Sequence, residues 1–288
     1  MNNSLISSMV TMNALQQKLD IMSNNLANES TIGFKRKQAT FEDVLTNVKQ
    51  QPKGFQKEGR LSPLGYTQGW GAKLSQVQLD LSQGTLQATG NPGDLAIEGT
   101  GMFEVSISRD DVDGNPVNTP AYTRDGTLNL AINPNDPNNL YLTTKDGHFI
   151  RGTNDETIRI PRGYSMSVNS TGVVLAYNKD SPQLGSLPVG QIKLVKVVRP
   201  QYLEQIGENL YSLPPEVNNA QGQVLQAGNN GTNLESKITI RQGFLEQSNV
   251  SLGDEMTELL VVQRAYQLSA KAVSSADTMT NLANNLRG

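Results

Sequence analysis

The sequence contains no cysteine and a single histidine, His148, among its 288 residues. The first absence excludes disulfides and thiolate metal sites. The second excludes a zinc helix with two histidines and any His-rich metal centre. Aromatic residues make up 5% of the chain and tryptophan occurs once. No apolar run approaches the roughly 18 residues that a membrane-spanning helix needs. The first twenty residues carry no basic stretch ahead of an apolar core, so a cleaved secretory leader is not expected. Net charge is −3, which gives no electrostatic footprint for nucleic acid. Gly and Pro supply 26 and 13 residues, close to average usage, so the chain is neither collagen-like nor low in complexity.

What is present is patterned differently at the ends and in the middle. Leu5, Met12, Leu15, Leu19, Met22 and Leu26 recur at spacings of 7, 3, 4, 3 and 4, a seam of period 3.5 that predicts a coiled-coil-like helix over 3–28. Leu252, Met256, Leu259, Leu260, Val262, Tyr266, Val273, Ala276, Met279 and Leu286 mark a looser seam in a second helix over 252–286. About 35 residues in one helix would span about 50 Å, and long helices with such seams associate. Between them, period-2 alternation and β-branched residues predict strands at 95–107, 121–130, 140–150, 157–160, 165–176, 191–198 and 236–245. Turn dipeptides Asp113-Gly114, Asp125-Gly126 and Asp146-Gly147 separate them. No helical crossovers intervene, so the sheet is expected to be antiparallel.

The expected class is therefore α+β, with N- and C-terminal coiled-coil-like helices flanking a mainly antiparallel β domain. Residues 1–31 with 252–288 form the helical assembly part, 32–85 a connecting segment, and 86–251 the β-rich domain. Within the connection, 46–72 reads as an extended arm, rich in Gly, Pro, Lys and Gln, with Phe55, Tyr66 and Trp70 as candidate contact residues. A second loop-like stretch covers 214–233. The terminal seams can be buried by pairing with each other, with copies in other subunits, or both.

Four separated motifs then resemble one family in order. Asn24-Asn25-Leu26-Ala27-Asn28 followed by Thr31-Ile32-Gly33-Phe34-Lys35-Arg36 resembles the N-terminal signature of the bacterial flagellar rod and hook proteins. Gly90-Asn91, Asp94-Leu95-Ala96-Ile97-Glu98-Gly99 and Gly101-Met102-Phe103 resemble the family's internal motif. Tyr122-Thr123-Arg124-Asp125-Gly126 follows it at the expected distance. The stretch from Gln242 to Val250, leading into Glu255-Met256 and Gln263-Arg264-Ala265-Tyr266, looks like the C-terminal signature. Met102 and Ile32 depart from the usual residues. The segment from Phe41 to Gly71 resembles the long stretch of distal rod proteins.

The resemblance implies a structural subunit of the basal-body rod. It would leave the cytoplasm through the flagellar type III export apparatus without a cleaved leader. It would then polymerise, with copies of itself and other rod and hook proteins, into a torque-transmitting helical tube. Leu5, Met12, Leu15, Leu19, Met22, Asn25, Leu26, Asn28, Gly33, Phe34, Met256, Leu259, Val262, Tyr266 and Val273 become the expected assembly interface. Lys35-Arg36-Lys37 reads as a solvated basic face. No catalytic, cofactor-binding or metal residues, no small-molecule substrate and no transmembrane segment are expected. Gly99-Thr100-Gly101 lacks the third glycine of a dinucleotide fingerprint. Asp110-Asp111-Val112-Asp113-Gly114 lacks the ligand spacing of a calcium loop. The competing classes are a rod-associated cell-wall hydrolase and a secreted adhesin, neither of which needs both terminal motifs. Within the family, a proximal rod protein or a hook protein is the alternative.

Overall fold

The computed structural model describes residues 2–43, 47–50, 65–68, 71–110, 116–133, 136–178, 185–207, 209–214, 222, 224–228 and 238–286. The chain divides into two compact units. One comprises Met1–Ala27, Lys37–Gln78 and Ser251–Gly288; the other comprises Asn28–Arg36 and Leu79–Val250.

The helical unit holds both terminal helices, α1 (Asn2–Ala27) and α2 (Leu252–Asn285). Within it Lys37–Asp43 pairs with Ala72–Leu79. Part of the expected arm is ordered as a ladder: Asn47–Gln50 pairs antiparallel with Gly65–Gln68, Asn47 opposite Gln68. Tyr66 lies in that second strand, whereas Phe55 and Trp70 fall outside the described residues. Residues 37–78, expected in a connecting segment, thus belong with the helices. One reason is Gly71 (φ +105°), where a Cβ would lie 2.8 Å from the Ser7 carbonyl oxygen. Only glycine lets the strand pass so close to α1.

The second unit is antiparallel β structure, as expected. Among the described residues, ten strands join in one sheet. Its centre is Gly101–Asp110, which pairs along its length with Pro116–Thr123 and, on its other edge, with Leu194–Val197 and Phe149–Ile150. Tyr164–Val168, Val173–Asn178 and Leu187–Gln191 form a separate three-stranded sheet. The Asp146-Gly147 turn closes the Thr143–Phe149 pairing, as the dipeptide predicts.

The central strand is buried on both sides because alternate side chains enter different clusters. Phe103, Val105 and Ile107 join Leu95, Ile97, Leu142, Ile150 and Ile240. Met102, on the opposite face, packs with Tyr122, Val195, Tyr211 and Leu225. Burial pushes the hydroxyls of Tyr122 and Tyr211 up to about 12; at Tyr122 the Glu104 charge adds to it. The stability these neutral tyrosines contribute is complete below the ordinary value of 10.0 and is lost as pH rises through about 12. Each is worth on the order of 2 kcal/mol. Unfolding titrations should therefore show a steep alkaline loss in that window. The Tyr211 hydroxyl has no hydrogen-bond partner among the described residues, so Tyr211→Phe strands no polar group. It should leave neutral stability within about 1 kcal/mol and move the alkaline transition upward. An unchanged alkaline transition in that variant would refute this assignment.

Candidate assembly interface

α1 and α2 pair antiparallel within one chain. Lys18 Nζ meets Glu258 Oε1 at 2.6 Å and also lies 5.7 Å from the Phe41 ring centre. The predicted N-terminal seam takes part in this packing: Met22 is buried, and Leu5, Met12, Leu15, Leu19 and Leu26 are half-buried. Ala14, which the periodicity did not single out, is buried with them. On α2, Val262 is buried and Leu259, Tyr266 and Val273 are half-buried. The exposed apolar side chains lie on another arc of the helix. Met256, Leu260, Val261, Leu268, Met279 and Leu282 are all more than half exposed. Met256 alone of the expected α2 interface residues belongs to that face. A helix that is apolar on two faces has one face left over after pairing.

Asn25 sits at the end of α1 with only 1% of its surface exposed. Its Oδ1 accepts from Lys37 N and its Nδ2 donates to Lys37 O, both at 3.0 Å. The same Nδ2 lies 3.5 Å from Glu255 Oε2 on α2. The side-chain amide thus acts as a strand partner for one residue and ties the returning strand to both helices. It serves this chain's own fold, which uses the contacts that the sequence assigned to a subunit interface.

Residues 28–36 belong to the β unit. Gly33 adopts φ +70°, and a Cβ there would lie 2.6 Å from Asp125 N. Its own N donates to Glu246 O at 2.8 Å. Phe34 is buried within the chain. Together with Asn28, Thr31, Lys145 and Asn209 it lines a cleft of about 640 Å³, and Asn28 Oδ1 accepts from Thr31 Oγ1.

Lys35 corrects the reading of a solvated basic run. It is 1% exposed, and its Nζ donates to Glu246 Oε1 at 2.8 Å and Ser82 O at 2.7 Å. Burial, then the neighbouring Arg124, pulls its pKa below the ordinary lysine value, against the pull of Glu246. Arg124 is buried too; it donates to Glu246 Oε2, to Gly101 O, and to Ile97 O at 3.0 Å. Sequence reasoning missed Glu246, Arg124 and Glu255 as organising residues. No local signal marked them, since the partners of Glu246 lie 122 and 211 residues away in sequence.

Among the described residues no cluster of His, Asp and Glu is placed to hold a metal ion, and no helix is long and apolar enough to cross a membrane. Paired terminal helices, an uncovered apolar helix face and an antiparallel β unit suit a subunit that associates through its helices. Comparison with known proteins gives the family. Residues 5–35 match the family described as "Flagella basal body rod protein", residues 96–176 "Flagellar hook protein FlgE/F/G D1 domain", and residues 241–286 "Flagellar basal body rod FlgEFG protein C-terminal". The chain is 34% identical to the flagellar basal-body rod protein FlgG of Bacillus subtilis, over the full length of both. It is 32% identical to that organism's flagellar hook-basal body complex protein FlhP, again over both full lengths. It is 33% identical to FlgG of Borreliella burgdorferi, over 96% of this chain and 95% of that one. The chain belongs to the flagellar basal-body rod protein family. It is a structural subunit of the flagellar basal body and assembles with other rod and hook proteins; a hydrolase or adhesin reading has no support.

Proposed function

We propose that the face of α2 carrying Met256, Leu260, Leu268, Met279 and Leu282 is the surface that packs against neighbouring rod subunits. The observation behind this is the leftover apolar arc: a single chain covers one face of the helix and leaves the other in water. The seam through Leu19 and Leu259 then builds the subunit, and the opposite face joins subunits. Asn28, at the rim of its cleft, and the arm with Phe55, Tyr66 and Trp70 add lateral contacts. The subunit carries no catalytic activity. Its route to the rod is the flagellar type III export apparatus. The length between Phe41 and Gly71 favours a distal position; FlgG and FlhP of one organism match the chain about equally well.

Leu260→Asp and Leu268→Asp test the surface. Both positions face solvent in one chain, so the folded subunit should change by no more than about 0.5 kcal/mol. Burying the new charge in a subunit contact costs several kcal/mol. The expected result is soluble, folded subunit, rods that stop short in purified basal bodies, and non-motile cells. Gln17→Asp, exposed on α1, should swim. Complete rods in the Leu260→Asp and Leu268→Asp strains would remove α2's outer face from the interface.

A further inference from the structure

The segment that opens the β unit and the segment that closes it lie side by side in the same direction. Gly33 N donates to Glu246 O at 2.8 Å. Arg36 N donates to Asn249 Oδ1 at 2.7 Å, across a sequence separation of 213. The Gly33–Glu246 pair has the same separation, so the two segments run parallel and in register. Between these bonds Lys35 Nζ reaches Glu246 Oε1 at 2.8 Å, with both side chains 1% exposed.

A third segment backs the pair. Asp80 N donates to Arg36 O at 2.8 Å. Asn249 Nδ2 donates to Asp80 O at 2.9 Å and to Ser82 O at 3.1 Å. Ser82 O also receives Lys35 Nζ, and Gly84 N donates to Glu246 Oε1 at 2.8 Å. Arg124 then fastens the Glu246 carboxylate to the carbonyls of Ile97 and Gly101, inside the main core.

We infer that these contacts form a shear clamp, a device that lets the β unit carry force entering along residue 28 and leaving along residue 250. The argument is mechanical. When two parallel segments are pulled from opposite ends, every bond between them is loaded at once. When antiparallel neighbours are pulled from the same end, their bonds open one after another. The rest of the unit is antiparallel, so this parallel contact is the element that resists pulling on the chain's entry and exit. Water exclusion strengthens it, because a buried ion pair and its hydrogen bonds find no competing partners while they stretch. The inference rests on the reading of the chain as a rod subunit, whose segments are under load while the rod turns.

The charges separate the clamp from ordinary stability. One carboxylate faces two buried cations. Removing Lys35 leaves Arg124 and Glu246 as a matched pair, whereas removing Glu246 leaves two cations unmatched. Lys35→Met therefore takes a bond from the clamp without stranding a charge, and Asn249→Ala takes the contact to Arg36 N.

The test is single-molecule pulling on the purified full-length chain. The protein has no cysteine, so Ser30→Cys with Ser251→Cys defines an axis across the clamp. Asp146→Cys with Arg162→Cys defines a control axis through the antiparallel sheet. Lys35→Met and Asn249→Ala should each raise the forced unfolding rate about tenfold along the first axis and leave the second within about twofold. Lys35→Met should also keep its thermal midpoint. Equal effects on both axes, or none along the first, would overturn the clamp. Pulling involves no rod, so a failed clamp is told apart from a failed rod assignment, which the Leu260→Asp cells test.

Discussion

Asn25→Asp should cost the helical unit about 3–5 kcal/mol, although it changes only one amide nitrogen to oxygen. The donor is what matters. Asn25 Nδ2 gives hydrogen to Lys37 O at 3.0 Å and faces Glu255 Oε2 at 3.5 Å. A carboxylate presents oxygen to both. It loses the bond to the Lys37 carbonyl and sets two negative charges against each other at a site 1% exposed. Asn25→Ala removes the amide without adding a charge and should cost about 1–3 kcal/mol. The pH dependence has a definite sign. Burial and the neighbouring Glu255 raise the pKa of the introduced Asp, so its protonated form is the better tolerated one. The deficit should shrink as pH falls through that raised value and be complete above it. Urea unfolding followed by helical circular dichroism, at neutral and mildly acidic pH, measures both points. An Asn25→Asp subunit as stable as the parent at neutral pH would show that the amide does not hold the returning strand.

How much of this was legible depended on whether the signal was local. The helices were, because Leu5 to Leu26 repeat at a period only a helix satisfies; the expected 3–28 became Asn2–Ala27. The Asp146-Gly147 hairpin and the alternating run through Phe103, Val105 and Ile107 were read for the same reason. Lys37–Asp43 was not read as a strand, since KQATFED carries little apolar alternation; the Asn25 amide and the pairing with Ala72–Leu79 hold it instead. Lys35 was misread because its charge partner, Glu246, is 211 residues away. Nothing near Lys35 in sequence distinguishes it from Arg36 and Lys37. The two faces of α2 were ambiguous for a geometric reason. Adjacent apolar pairs, Leu259-Leu260 and Val261-Val262, put one side chain toward α1 and the other toward solvent, and periodicity alone cannot choose between them. The signature residues near Asn25 and Gly33 were found by resemblance. Their work inside the chain, closing turns and holding neighbouring segments together, became visible only in three dimensions.

Gly126→Ala should be the most damaging single methyl in the β unit, costing more than about 4 kcal/mol. A Cβ on Gly126 would stand 1.6 Å from Leu95 O and 2.7 Å from Leu95 C, with the Phe103 ring 3.4 Å away. Backbone has to move, because no flexible side-chain tip is in the way. The strand Leu95–Glu98 cannot retreat cheaply. Leu95 N donates to Gly126 O at 2.9 Å, and Leu95 pairs with Gln242 on the other side. Leu95 and Ile97 are fully buried, so a shift also opens the core. Ile97 O moves with the strand, and with it one of the carbonyls that hold Arg124. Gly147 is the control. It sits at φ +84° with nothing within 4 Å of an added Cβ, so Gly147→Ala carries only the backbone penalty of about 1 kcal/mol. Denaturant midpoints and slopes for the two variants should therefore separate widely, and the Gly126→Ala chain should lose its strand signal under conditions where the Gly147→Ala chain keeps it. If both variants fell by the same small amount, the close passage of Gly126 over Leu95 would not be a fixed feature of the fold.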